Sequence, residues 1–172
     1  MSFKELFDLS NSVLELRLTN TEVLALVRNN EFFLTQGILA IEISKNSSDG
    51  LTWNAFRDHW WRRLMDAGMS APTCLEVARL GYLVYSYERY GVSPLPPDIE
   101  TLAPLPRCSF PLCSRTDDLE EDHIWPVSLG GPGYQWNLQN LCGFHNRIKS
   151  NFPGLNFCDP APLREALVRA YP

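Results

Sequence analysis

Glu121-Asp122-His123-Ile124-Trp125-Pro126, then Gly130-Gly131, then Trp136-Asn137-Leu138-Gln139-Asn140-Leu141, runs between two short Cys/His pairs. The first pair is Cys108-Ser109-Phe110-Pro111-Leu112-Cys113 and the second is Cys142-Gly143-Phe144-His145. Zinc takes four tetrahedral N/S ligands, and short paired loops separated by a longer excursion supply them. Cys108, Cys113, Cys142 and His145 therefore read as a structural zinc knuckle. Of the five cysteines, Cys74 falls in a helical pattern and reads as a small core residue, while Cys158 is a substitute ligand if His145 serves elsewhere. Clustered cysteines near a histidine indicate metal in a reducing compartment and disulfides in an oxidising one. The stretch from Met1 to Asn11 has no apolar core with a small-residue cleavage site, and no apolar run in the chain is long enough to span a bilayer. A cytoplasmic location is the expectation.

The residues inside the clamp carry a second pattern. Asp122-His123 offers a carboxylate beside an imidazole, a side chain suited to a general base. Along a strand, neighbouring side chains face opposite ways, so the two can serve different partners. Gly130 and Gly131 permit a reversal between strands. In order and spacing, DHI-P, GG, NLQ-LC and HN-K resemble the HNH endonuclease family, whose core is a β-hairpin followed by a helix, the ββα-metal fold. The likeness covers about forty of the 172 residues.

The resemblance implies a fold, a reaction and roles. Asp122 and Asn146 would bind a catalytic Mg²⁺ or Mn²⁺ through oxygen. His123 would be the general base, and Asn137 would fix the loop or orient His123. Arg147 and Lys149 would contact phosphates. The activity would be hydrolysis of DNA phosphodiester bonds leaving a 5′ phosphate, with RNA as the lesser substrate. The family ending is Cys-x-x-Cys-His, whereas this chain has Cys142-x-x-His145-Asn146. In one register His145 joins the zinc and Asn146 the catalytic ion, an HNN-like variant. In the other His145 serves the catalytic ion and zinc finds a ligand such as Cys158. Four local ligands favour the first.

Outward from this module the chain reads as α+β. Residues 1–91 form a helical region for recognition or assembly, 92–107 a connector, and 108–172 the nuclease module with a C-terminal helix over Pro162–Ala170. Ser2 could cap a first segment carrying Phe3, Leu6, Phe7, Leu14 and Leu16, and Thr21 opens a clearer helix. Phe32–Ile43 fits either helix or strand, because Gly37 weakens a helix and Ile suits a strand. Thr52 caps the helical stretch that starts at Trp53 and that Gly68 can end, and Ser70 or Thr73 opens a helix closing near Gly91. Val92–Arg107 holds five prolines in sixteen residues, which makes it stiff and extended. Within His59-Trp60-Trp61-Arg62-Arg63, a solvated basic edge is favoured over a base-stacking surface.

Net charge is −5. Through Pro106 there are 9 Lys+Arg against 13 Asp+Glu, a net of −4; beyond it 6 against 7, a net of −1. Neither part has the basic footprint of a protein that captures DNA unaided. The balance suggests a larger protein partner or a homo-oligomer, as in restriction or phage-defence (antiviral) assemblies. A non-catalytic zinc-stabilised nucleic-acid-binding or adaptor module is the competing expectation.

Overall fold

The computed structural model describes residues 20–154 and 156–172. The expected segment capped by Ser2 lies outside the described residues. The fold is mixed helix and sheet, as the α+β expectation required: six α-helices and one two-stranded antiparallel sheet among the described residues.

Helix α1 (Asn20–Glu31) runs through a π-helical turn (Phe32–Gln36) into α2 (Gly37–Lys45). The ambiguous stretch is thus helical, and Gly37 has a packing reason. A Cβ there would stand 3.2 Å from the indole of Trp125, a tight contact that a larger residue would keep only if the ring gave way by a few tenths of an ångström. The π turn buries Phe32 and Phe33 edge to face. Burial of such large rings outweighs the poorer π-turn geometry.

Helix α3 (Trp53–Asp66) starts where Thr52 accepts a hydrogen bond from the amide of Ala55. Helix α4 (Ala71–Tyr90) starts at Ser70 and ends at Gly91, whose φ of 65° is the left-handed cap. Both α2 and α3 pack against α4. Cys74 is fully buried in this layer, consistent with a plain core role. Trp61 packs on the same layer while His59, Arg62 and Arg63 face solvent, as a solvated basic edge requires.

Residues 92–105 contain no helix or strand, yet Leu95 and Ile99 are buried in the principal core. That core also takes in Trp125, Trp136, Leu163, Leu167 and Tyr171. Strand β1 (Leu119–His123) pairs with β2 (Leu138–Cys142), setting Asp122 opposite Gln139 and His123 opposite Leu138. Helix α5 (Gly143–Lys149) follows β2 directly, and α6 (Ala161–Ala170) packs back on α4. The carboxy end is fastened to the helical layer: the Trp53 indole donates to the Pro172 carbonyl and Arg79 to that of Tyr171. No helix among the described residues is long and apolar enough to cross a membrane.

Candidate metal centre and the carboxylate beside it

The Cys108–Cys113 turn is tight because Cys113 N–H donates to the Phe110 carbonyl and Leu112 sits at φ 67°. It is sewn to β2 by a hydrogen bond from Ser109 N–H to the Asn140 carbonyl. Cys142 ends β2, and one turn of α5 brings His145 beside it. The ligand atoms of Cys108, Cys113, Cys142 and His145 all lie within 4.8 Å of one another. His145 Nδ1 is 3.2 Å from Cys142 Sγ and 3.4 Å from Cys108 Sγ. A tetrahedral ion at about 2.3 Å from sulfur and about 2.0 Å from nitrogen would separate such atoms by roughly 3.5 Å, so the group could hold a metal ion and is compatible with a structural zinc.

Supporting contacts suit that role. The Phe110 ring stacks on the His145 imidazole at 3.9 Å and 7°, which fixes the ring plane. Burial, with a smaller contribution from nearby Arg115, lowers the His145 pKa and favours the neutral imidazole that a metal needs. Burial raises the Cys108 thiol. Burial also pushes on Cys142, but amide hydrogen bonds at His145 and Phe144 and the neighbouring thiols bring its pKa below the usual value. Cys158 stands outside this group: its thiol lies against Gln139 Oε1. Of the two registers, the geometry matches the one that places His145 with the thiols.

Gly130 and Gly131 do not make a tight hairpin turn. The strands are joined by residues 124–137, a long loop holding two 3₁₀ turns, Val127–Leu129 and Gln135–Asn137. The glycines are required all the same. Gly130 sits at φ 89°, and a Cβ on Gly131 would fall 1.8 Å from the Trp125 carbonyl oxygen. The loop is plugged into the helical layer by Trp125, fully buried, whose indole N–H donates to the Leu129 carbonyl.

Asn137, 1% exposed, is the pin of that loop. Its Oδ1 accepts from Trp125 N–H at 2.8 Å, and its Nδ2 donates to the carbonyls of Trp125 (3.0 Å) and Pro132 (2.9 Å). All of its side-chain bonds go to loop backbone, so Asn137 positions the loop rather than touching the His123 ring. The His123 imidazole is half-buried, with Nε2 turned toward Gly133.

Asp122 lies under α5. Its Oδ2 accepts from Gln139 Nε2 at 2.8 Å and pairs with the Lys149 ammonium at 2.9 Å. Lys149, expected at a phosphate, is instead 3% exposed and also donates to the His123 carbonyl at 2.7 Å. It is an internal brace between α5 and the end of β1. Arg147, two residues earlier, is exposed. Asn146 donates through Nδ2 to Glu120, not to Asp122. Both contacts on Asp122 fall on Oδ2, and the Asn146 contact is through nitrogen. Asp122 Oδ1 and Asn146 Oδ1 thus have no side-chain hydrogen-bond partner among the described residues, which suits a hard, oxygen-seeking cation.

Sequence reasoning missed three participants. Glu120 shares the α5 face of β1 with Asp122, a placement period-two alternation could have predicted. Gln139 follows from the register opposite Asp122. Asn156, 1% exposed, donates to the Ile124 carbonyl and accepts from Cys158 N–H; nothing local signals it or the Cys158 contact. Comparisons of the chain with family models, with curated protein sequences and with solved structures find no match.

Proposed function

We propose that the chain is an HNH-type endonuclease that hydrolyses DNA phosphodiester bonds, with zinc in the Cys108, Cys113, Cys142 and His145 group and Mg²⁺ or Mn²⁺ beside Asp122 and Asn146. One observation carries the reading. Asp122 and His123 end a strand whose exit loop is pinned by a buried asparagine, and the paired strand feeds α5 directly from a Cys₃His clamp. That order of strand, loop, paired strand and helix supports the reading that the sequence resemblance suggests.

The residues then divide the work. Gln139 and Lys149 hold the Asp122 carboxylate by one oxygen and leave the other for the cation. The Asn146 amide is held by Glu120 in the same fashion, its oxygen without a hydrogen-bond partner among the described residues. His123 accepts the proton of the attacking water, its backbone fixed by Lys149 on one side and the Asn137-pinned loop on the other. Arg147 pairs with a flanking phosphate. When bound, the divalent ion would offset charge on the phosphoryl oxygens and the departing 3′ oxygen. The acidic balance of the chain favours a partner or a second copy to supply part of the grip on DNA.

A second reading is a non-catalytic zinc-stabilised nucleic-acid-binding or adaptor module. It is favoured by the Lys149 ammonium, which already compensates the Asp122 charge without any divalent ion. Plasmid nicking in Mg²⁺ or Mn²⁺ separates the two. The nuclease reading expects the wild type to nick and His123→Ala to lose about 10²–10⁴-fold in rate. Equal rates for the two proteins would refute it.

A further inference from the structure

Asp122 Oδ2 is an acceptor only, so the Gln139 group facing it is the NH₂, and Gln139 Oε1 points the other way. What meets Oε1 is the thiol of Cys158, 2.8 Å away. A thiolate would repel that carbonyl oxygen, so the contact requires the protonated form, and burial does push the Cys158 thiol up to about 12. Cys158 is itself held, since its amide donates to Asn156 Oδ1 and Asn156 donates to the Ile124 carbonyl. A chain of donors therefore runs from the segment after α5, through β2, to the carboxylate at the end of β1.

We infer that Gln139 and Cys158 are positioning residues for Asp122: the thiol sets the orientation of the Gln139 amide, and the amide holds Oδ2 so that Oδ1 is presented to a divalent cation. The inference rests on the proposed function for the role of Asp122. Outer-shell partners of this kind orient ligand groups and alter metal affinity by about 10–100-fold when removed. Lys149 shares Oδ2 but reaches it as a point charge on a flexible stem, which sets distance more than plane.

The test is Mn²⁺ titration of the full, zinc-loaded chain, followed by the electron paramagnetic resonance signal of the free ion, with zinc content and circular dichroism measured alongside. Gln139→Leu removes the donor, Cys158→Val keeps bulk without a donor, and Cys158→Ser keeps a donor. Mn²⁺ affinity should fall about 10–100-fold in Gln139→Leu and about tenfold in Cys158→Val, and stay within about a factor of two in Cys158→Ser, at unchanged zinc content. Wild-type affinity in both Gln139→Leu and Cys158→Val, equal weakening in both Cys158 variants, or no Mn²⁺ uptake by the wild type would each overturn it. The expected order of affinities in a protein that does not nick DNA would support this inference and overturn the nuclease reading alone.

Discussion

Phe32, Phe33, Ala40, Leu80, Leu83 and Val84 hold the helical layer by apolar contact, whereas the segment from Cys108 to Lys149 fully buries only Cys108, Leu141 and Cys142 in a cluster of its own. The first region has long helices with capped ends and ordinary core residues. The second has two five-residue strands and a seven-residue helix. So small a unit cannot bury enough surface to persist alone. It is fixed by directed interactions instead: a cluster of four Cys/His groups that could hold a metal ion, the three bonds of the Asn137 side chain, and the Lys149 brace. Apolar packing tolerates substitution and fixes position loosely. Directed bonds tolerate little and fix individual atoms, which is what the proposed reading, with an aligned carboxylate and imidazole, would require.

Metal removal should break the comparison most visibly. Structural zinc sites contribute on the order of 10 kcal/mol of binding free energy to folding. A strong chelator, or Cys142→Ser, should abolish hydrogen-exchange protection in β1 and β2 while α4 keeps its own. Parallel loss in both regions would mean that the layers are not independently held.

Trp125→Ala attacks the side chain that plugs the loop into the helical layer. It should cost about 3–5 kcal/mol in denaturant unfolding, the range for deleting a buried aromatic, with wild-type zinc content. Loss of zinc in this variant would show that the loop and the knuckle are one cooperative piece. Asn137→Ala is the smaller probe. Leaving the Trp125 and Pro132 backbone groups unpaired should cost about 2–3 kcal/mol and, on the proposed nuclease reading, slow DNA nicking, again at full zinc content. A stability effect without any change in nicking rate would argue that loop geometry does not matter to the chemistry.

The helices with strong caps and the Cys/His clamp were legible in the sequence because their signals are local. Thr52, Ser70 and Gly91 act within one turn, and the four ligand residues come in two short pairs. Phe32–Ile43 was not decidable, since the reason for Gly37 is the indole of Trp125, far along the chain. Lys149 misled for a related cause. A lysine at a helix end ordinarily faces solvent, and only the pairing that brings Asp122 beneath α5 buries it. Cys158 looked like a spare zinc ligand until the fold placed Gln139 between it and Asp122. Gly130 and Gly131 do lie in the reversal between the strands, but within a long loop in which Gly131 answers to the Trp125 carbonyl rather than to a tight hairpin turn.

On the proposed reading, the chain carries two differently built sites: a thiol-rich one that holds the fold and an oxygen-rich one at Asp122 that does the chemistry. Zinc content and Mg²⁺-dependent nicking of Asp122→Asn, measured on the same preparation, address that division directly. The expected result is wild-type zinc with nicking reduced about 100-fold or more. Undiminished nicking, or zinc lost together with the carboxylate, would contradict it.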